Sequence, residues 1–255
     1  MRRTETDAHW SDRAASVADD VEVNIMDIFQ RELEYDEVGE HLEPAMRVLE
    51  VGCGNGFSTR RFRELVTHVD AFDYSPEMVE RARTVAGETN NRFFVDNVLA
   101  LEHADEAYDA VVCIRVLINL RDLAEQRTAL REMAARVRAG GILVLAEGFT
   151  DGFAELNIVR ERVGLPPLEP AAINFYSALD DLLPELDSEF DRVGSFHLGA
   201  YDYLTRVFYP LVAGVENAKH NTVFSERASE LARAFNPQAF ETLSRLRGFV
   251  LRKRQ

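Results

Sequence analysis

Three glycines stand at alternate positions, Gly52, Gly54 and Gly56, directly after a short apolar run at residues 48–51. Glycine reaches positive φ angles at low steric cost and lets a ligand approach the bare backbone. Residues 58–66, after the loop, are predicted to be helical, and the free N–H groups of a helix N-terminus favour an anionic group. Strand, glycine loop and helix in this order are typical of the unit that holds an adenosine-type cofactor.

The spacing of the glycines argues against two other nucleotide-binding motifs. A dinucleotide-binding loop needs its third glycine at position 57, where this chain has Phe57. A P-loop needs Gly-Lys followed by Ser or Thr, which is absent from this loop. An isolated glycine cluster can also form a plain tight turn, so the residues downstream decide its meaning.

Acidic residues stand at or just past the ends of three successive predicted strands: Glu50, Asp73 and Asp96. A carboxylate at Asp73 can accept both hydroxyl hydrogens of an adenosine ribose, and Asp96 can accept from an adenine amine. Glu50 can hold the ammonium group of an amino-acid moiety. Acids are common at solvent-facing strand ends, but three carboxylates beside a loop without basic residues suit a ligand that carries positive charge.

Predicted strands and helices alternate through the residues that must position these groups. Strands are predicted at 46–51, 68–73, 92–95, 108–113 and 141–147, and helices at 58–65, 76–86 and 122–137. Ser75 is the predicted N-cap of the second helix, with Pro76 at its first position, and a glycine turn at 138–141 is predicted to end the third. This alternation predicts an α/β fold with a doubly wound, mostly parallel sheet.

The whole chain, 1–255, is interpreted as one domain with a cofactor-binding core at 43–147. Residues 11–42 have Val21, Ile25, Ile28, Phe29 and Leu33 at helical spacing, which predicts an amphipathic helix that packs on the sheet or covers the cofactor as a lid. Residues 148–200 are predicted to form a helical insertion on the substrate side, after strand five. Within 201–255, strands at 201–209 and 246–252 are predicted to complete the sheet as an antiparallel pair around a helix at 226–235.

The amino-acid composition limits which binding partners and which cellular compartment we expect for this protein. The 44 acidic residues outnumber the 29 basic ones, so the formal net charge of −15 argues against a nucleic-acid surface. The longest apolar runs are too short to cross a membrane, and no apolar segment typical of a signal peptide follows the N-terminus. Cys53 and Cys113 are interpreted as reduced, buried thiols of a cytoplasmic protein, and the scattered histidines predict no metal site. The oligomeric state stays open.

These residues together resemble the class I S-adenosylmethionine-dependent methyltransferases of the small-molecule type. The resemblance is carried by the glycine motif at 48–56, by 69–73 leading into 75–78, by Asp96 and Asn97, and by 108–113 and 130–147. It implies a seven-stranded, Rossmann-like sheet with an antiparallel last strand. It also implies S-adenosylmethionine as the methyl donor, with S-adenosylhomocysteine as the product.

The resemblance assigns roles to individual residues. The three glycines would cradle the methionine and ribose parts, Asp73 the ribose diol, and Asp96 with Asn97 the adenine. Tyr74 and Met78 would pack near the adenine ring, and Arg115 would lie beside the sulfonium.

The acceptor side of the site is less well defined. Arg115 emerges from the fourth strand and either anchors a carboxylate or phosphate of the acceptor or pairs with Glu147 or another strand-end acid. Asn119, Asn174 and Tyr176 are the other candidate acceptor contacts. Many small-molecule members of the family carry a histidine soon after this strand, and here the run 113–120 has none. Glu147 and Tyr176 are the candidate catalytic residues, Glu147 as a base if an apolar setting raises its pKa.

The sequence and this resemblance lead to the hypothesis that the protein transfers a methyl group from S-adenosylmethionine to a small polar acceptor, most simply at oxygen. N-methylation of a small amine and a non-catalytic S-adenosylmethionine-binding module are the alternatives. A nicotinamide-dependent oxidoreductase is the remaining class, and Phe57 speaks against it.

Overall fold

A computed structural model describes residues 9, 10, 12, 13, 26–87, 89–104, 107–236 and 238–255. The strands are β1 (Arg47–Val51), β2 (His68–Asp73), β3 (Asn91–Val95), β4 (Tyr108–Ile114), β5 (Val137–Gly148), β6 (Phe190–His197) and β7 (Leu246–Lys253). The α-helices are α1 (Ile28–Gly39), α2 (Phe57–Phe62), α3 (Pro76–Ala86), α4 (Leu123–Arg136), α5 (Thr150–Arg162), α6 (Leu179–Leu182), α7 (Gly199–Tyr203), α8 (Tyr209–Ala213) and α9 (Val223–Ala234). A π-helical segment, Leu204–Phe208, joins α7 to α8, and short 3-10 turns lie at Leu117–Asn119, Leu183–Leu186 and Glu241–Leu243.

The strands form one seven-stranded sheet in the order β3-β2-β1-β4-β5-β7-β6. Strands β1 to β5 run parallel, whereas β7 is antiparallel to both β5 and β6. Val51 is level with Phe72 on one side and with Cys113 on the other, so the carboxyl ends of β1, β2 and β4 meet at one edge. Ligands bind at this edge in open α/β sheets. The predicted doubly wound, Rossmann-like fold is confirmed.

The inner parallel strands β1, β2 and β4 bury both of their faces, which explains why their sequences are largely apolar. Val48 belongs to one core cluster, with Val38 of α1 and Val79 of α3. The next residue, Leu49, belongs to the opposite cluster, with Leu130 of α4. Because adjacent side chains point to opposite faces, these two clusters hold helices on both sides of the sheet.

Asp27 joins α1 to the C-terminal helices. It caps α1 by accepting from the Gln30 backbone N–H at 3.1 Å and also accepts from the Tyr201 hydroxyl at 2.8 Å. Arg206 donates to the other carboxylate oxygen at 2.9 Å. Burial acts to raise the pKa of Asp27, but hydrogen bonds and charge from His220, Arg206 and Tyr201 hold it well below its ordinary value. This cluster fixes the position of a helix that also lines the functional cavity.

Two predicted elements near the C-terminus are wrong. The run 201–209, predicted as a strand, is helical in α7, the π segment and α8. The edge strand is β6, which the prediction had placed inside the helical insertion at 148–200. Its residues 191–193 are exposed, so the strand has no continuous apolar run to mark it. The aromatic residues of 201–209 favour strands by propensity, but tertiary packing overrides it here.

The ends of several helices also differ from the prediction, including α2, which ends at Phe62 rather than at residue 65. Helix α4 ends at Arg136, and the predicted glycine turn lies in the first part of β5, where Gly140 has a φ of +73°. Within 11–42, helix α1 covers only Ile28–Gly39, and the predicted contacts of Val21 and Ile25 lie outside the described residues. The Ser75 cap is confirmed, because its hydroxyl accepts from the Met78 N–H at 3.2 Å. No helix in the described ranges combines the length and apolarity needed to span a membrane.

Helix α5 begins the insertion after β5, and Gly152 holds it in place by close packing. A Cβ at this position would lie 1.7 Å from the carbonyl oxygen of Ser244. We therefore expect Gly152→Ala to lower the free energy of unfolding by about 2–3 kcal/mol, because backbone must move to make room. Glu155→Ala, on the exposed side of the same helix, is the control and should change it by less than about 0.5 kcal/mol in urea titrations. Equal stability of the two variants would contradict this packing role.

Candidate functional site

A cavity of about 520 Å³ opens at the carboxyl ends of β1, β2 and β4. This volume lies within the usual range of small-molecule sites. Most of the predicted site residues line it: Glu50, Gly52, Gly54, Asp73, Tyr74, Met78, Asp96, Asn97, Arg115, Asn119 and Asn174. Gly56, Glu147 and Tyr176 were predicted as well, but they are not among the lining residues.

The glycine loop has the backbone conformation that its spacing predicts. Gly52, Gly54 and Gly56 have φ angles of +69°, +54° and +75°, which glycine adopts without strain. A Cβ at Gly52 would lie 2.4 Å from a methyl carbon of Val116, so the loop packs directly against the residues after β4. A Cβ at Gly56 would lie 2.9 Å from the ring of Phe93. The first two glycines therefore form the cavity floor, and the third allows α2 to pack closely.

Asp73 shapes the loop and lines the cavity at the same time. One carboxylate oxygen accepts from the Gly54 N–H at 3.0 Å, and the other accepts from the Ser75 N–H at 3.0 Å. The side chain is 8% exposed, and burial raises its pKa to about 6 in spite of these hydrogen bonds. Each carboxylate oxygen has a second lone pair, so the group can accept further hydrogen bonds from a ligand.

Glu50 is already engaged within the protein. Both of its carboxylate oxygens accept hydrogen bonds from hydroxyl groups of α2, from Ser58 and from Thr59, the latter at 2.5 Å. Burial, together with the nearby charge of Asp73, raises its pKa to about 7 in spite of these hydrogen bonds. Glu50 thus holds the helix after the glycine loop, in addition to lining the cavity where it was predicted to meet an ammonium group.

Asp96 organises the loop that follows β3. Its carboxylate accepts from the backbone N–H groups of Asn97 at 2.8 Å, Glu102 at 3.2 Å and His103 at 2.9 Å. The backbone N–H of Asp96 donates to the carbonyl of Asp73 at 3.2 Å. This arrangement brings the second and third strand-end acids to one side of the cavity, as the sequence predicted.

Arg115 pairs with an acid that was not predicted. Its Nε lies 3.1 Å from Oε2 of Glu34, a fully buried residue of α1, rather than near Glu147. Arg115 also has a φ of +52°, an uncommon conformation for a residue other than glycine. Glu34 lies four residues before Val38 and four after Gln30, both buried. This spacing is the sequence signal that could have placed an acid on the buried face of the helix.

Glu147 supports the loop after β4, which carries Asn119. One carboxylate oxygen accepts from the backbone N–H groups of Val116 at 2.7 Å and Leu117 at 2.8 Å. The residue is 1% exposed, and burial raises its pKa to about 7. The raised pKa was predicted, but the side chain is not among those lining the cavity, which does not favour a direct role as base.

Tyr176 is also not among the residues that line the cavity, but it contacts one that is. Its ring packs edge-on against Phe153, with ring centres 4.8 Å apart, and a Cβ at Gly148 would lie 2.2 Å from it. Its hydroxyl accepts from the Asn174 side-chain amide at 3.3 Å. Tyr176 thereby orients Asn174, which does line the cavity.

Several lining residues were missed because they precede the first strand. They are His9, Trp10, Arg13, Met26 and Tyr35. The indole N–H of Trp10 donates to the side-chain oxygen of Asn119 at 3.3 Å, and the Asn119 amide donates to the carbonyl of Arg115 at 2.8 Å. Only a contact across 109 residues reveals this arrangement, and no local pattern signals it.

Residues 48–141 match a family model described as a methyltransferase domain. The ubiquinone biosynthesis O-methyltransferase of Xanthomonas axonopodis pv. citri is 37% identical over 119 residues, which cover 45% of this chain and 47% of that protein. The chain spans about half the length of the curated relatives it matches.

Solved structures resemble the chain over nearly its full length. Magnesium protoporphyrin IX methyltransferase of Synechocystis PCC 6803, solved with bound S-adenosylhomocysteine, superposes with a TM-score of 0.62 at 17% identity and covers 99% of this chain and 98% of its own. An N-methyltransferase of Bradyrhizobium japonicum WM9, also in complex with S-adenosylhomocysteine, has a TM-score of 0.61 at 15% identity, with coverage of 97% and 99%. At these identities the likeness establishes the fold.

The raised pKa of Glu50 predicts how stability depends on pH. Between its unfolded value near 4.5 and its folded value of about 7, the native state holds a proton that the unfolded state has lost. Stability contributed by this group is therefore lost as pH rises through that interval, on the order of 3 kcal/mol. We expect Glu50→Gln to flatten the decline of Tm between pH 4.5 and 7.5, whereas Glu155→Gln, an exposed control, keeps the wild-type slope. A wild-type slope in both variants would contradict the assignment.

Proposed function

Because the chain carries a class I S-adenosylmethionine-dependent methyltransferase domain, we propose that it transfers a methyl group from S-adenosylmethionine to an oxygen atom of a small polar acceptor. The observation that carries the proposal is the meeting of the glycine loop and the carboxylate of Asp73 in one cavity. The name of the Xanthomonas relative, an O-methyltransferase, supports oxygen as the acceptor atom. N-methylation and binding without turnover are the outcomes that the experiments below can give instead.

The lining residues fit the proposed donor. Gly52 and Gly54 line the cavity and have no side chain of their own, which leaves room for the methionine and ribose parts. Asp73 has acceptor capacity left for a ribose diol. Asp96 and Asn97, with Tyr74 and Met78, would enclose the adenine ring.

The donor supplies an electrophilic methyl group on a good leaving group, so the task of the protein is mainly positioning. A hydroxyl acceptor must also lose its proton. We propose His9 as the base, in preference to Glu147 and Tyr176, because His9 lines the cavity and they do not. Burial and the charge of Arg13 lower the pKa of His9, which keeps the imidazole neutral and able to accept a proton near pH 7.

The acceptor would lie between the loop after β4 and the insertion. Ile118, Asn119 and Asn174 line the cavity there, and Met26, which precedes α1, also belongs to the lining. These residues offer amide groups and apolar surface, which suits a small polar acceptor. The net charge of −15 further supports a free small molecule over a nucleic acid, and the two buried thiols support a cytoplasmic location.

Binding of S-adenosylhomocysteine tests the donor site. Asp73→Ala removes two charge-assisted hydrogen bonds to the ribose, so we expect its Kd to rise by roughly 30-fold or more in calorimetric titrations. Asp191→Ala is the control, because Asp191 pairs with Arg254 on the edge strand β6, outside the cavity. If the wild-type protein binds no S-adenosylhomocysteine at high micromolar concentration, the proposed function is wrong.

Methyl transfer tests the proposed base. A screen with methyl-labelled S-adenosylmethionine against small phenols, alcohols, carboxylates and amines identifies the acceptor. With that acceptor, we expect His9→Gln to lower kcat by roughly 100-fold or more, and to remove the rise of kcat with pH, while KM for the donor changes little. His68→Gln, at the first residue of β2 and so at the opposite end of the sheet, should keep the wild-type pH profile. If the label is found only on amines, the proposed O-methylation is wrong and the reaction is N-methylation.

A further inference from the structure

The acids of the cavity leave one part of the proposed donor without a partner. S-adenosylmethionine carries a carboxylate in addition to its cationic groups, and Glu50, Asp73 and Asp96 would repel it. Among the described lining residues, Arg13 and Arg115 are the arginines. Arg115 follows β4 directly and precedes Val116, whose side chain packs on Gly52 of the cavity floor. Its place is therefore beside the loop that would hold the amino-acid end of the donor.

Glu34 contacts Arg115 on one side only. Nε of Arg115, the atom nearest to Glu34, is fully buried, yet 24% of the Arg115 side chain is exposed. The exposed fraction therefore belongs to other atoms of the side chain, which lines the cavity. A guanidinium group can bind a second carboxylate through its remaining N–H groups.

The backbone of Arg115 is held in a fixed position. Its N–H donates to the carbonyl of Ala146 at 2.8 Å, and its carbonyl accepts from the Asn119 amide at 2.8 Å. Glu147 holds the following two N–H groups. These bonds stabilise the left-handed conformation at φ +52°, so that the side chain starts from a defined point in the cavity wall.

Glu34 belongs to a row of hydrogen-bonded polar and charged side chains that ends at the cavity. Its second oxygen accepts from Gln30 at 2.8 Å, and Gln30 in turn accepts from Arg245 at 3.4 Å. Arg245 is paired with Asp202 at 2.6 Å. At the cavity end of this row, neither Nε of Arg115 nor Oε2 of Glu34 has a hydrogen-bond partner within the described residues, although the two atoms are close. The two residues thus have opposite formal charges, but each keeps one buried polar atom without a hydrogen bond among the described residues.

We propose that Arg115, positioned by Glu34, forms a carboxylate-binding site between the donor and acceptor parts of the cavity. The proposal rests on the proposed methyl-transfer function. The carboxylate belongs either to the methionine part of the donor or to the acceptor, and both sources share the same chemistry, a planar anion on a guanidinium.

Calorimetric titrations with two adenosine ligands distinguish the sources. S-adenosylhomocysteine carries the amino-acid group, and 5′-methylthioadenosine lacks it. If the donor supplies the carboxylate, Arg115→Gln should raise the Kd for S-adenosylhomocysteine by roughly 10-fold or more and change the Kd for 5′-methylthioadenosine by less than 2-fold. If the acceptor supplies it, both ligands should bind as in the wild type. In that case 4-hydroxybenzoate should bind the wild-type complex with 5′-methylthioadenosine at least 10-fold more tightly than the variant complex, with 4-hydroxybenzyl alcohol as the neutral comparison.

Two further variants separate binding from folding. Arg115→Gln leaves Glu34 buried without its partner, so the double variant Glu34→Gln/Arg115→Gln, in which the buried pair is neutral, must show the same selective loss. The control is Arg127→Gln. Arg127 is an exposed residue of α4 that pairs with Glu185, so this variant should bind all ligands as the wild type does. An equal loss of both adenosine ligands, or no change with any ligand, would overturn the carboxylate site while leaving the methyl-transfer proposal standing. Wild-type protein that binds neither adenosine ligand would overturn both.

Discussion

Buried carboxylates must find hydrogen-bond donors, and the loops at the functional edge of this protein are built by supplying them. Asp73 takes N–H groups from both the glycine loop and the start of α3, Asp96 takes three from its own loop, and Glu147 takes two from the loop after β4. Glu50 takes two hydroxyl groups from α2. The cavity therefore exists because each strand-end acid folds the segment beside it.

Each strand-end acid thus binds the loop beside it, and this explains why the sequence predicted the strands and the loops at this edge of the cavity well. Buried parallel strands are short apolar runs, the glycines mark the one loop that needs positive φ, and the acids stand at fixed distances after the strands. Each of these signals is local in the chain. The edge strand β6 was missed because edge strands are solvent-exposed and their residues follow no apolar run. The helical segment at 201–209 was mistaken for a strand because its aromatic residues have high strand propensity.

The acceptor side could not be predicted in the same way, since its contacts join distant segments. Arg115 meets Glu34 across 81 residues of chain, and Asn119 meets Trp10 across 109. No periodicity or spacing encodes such pairs. Glu147 was predicted as a base whose pKa an apolar setting would raise, and Tyr176 as a residue of the insertion that reaches the acceptor. The hydrogen bonds of Glu147 go to two backbone N–H groups and to the thiol of Cys113, and the hydroxyl of Tyr176 accepts from Asn174. They determine where other side chains lie.

Three buried carboxyl groups at this edge of the sheet, Glu50, Asp73 and Glu147, have pKa values raised to about 7, 6 and 7 by burial. The formal charge of −15 counts all of them as ionised, so the folded, ligand-free protein is less negative than its composition states when the pH is near 6. A cationic ligand that enters beside Glu50 and Asp73 favours their charged forms and releases protons to the buffer. Ligand affinity and pH are thereby linked through the same side chains that shape the loops.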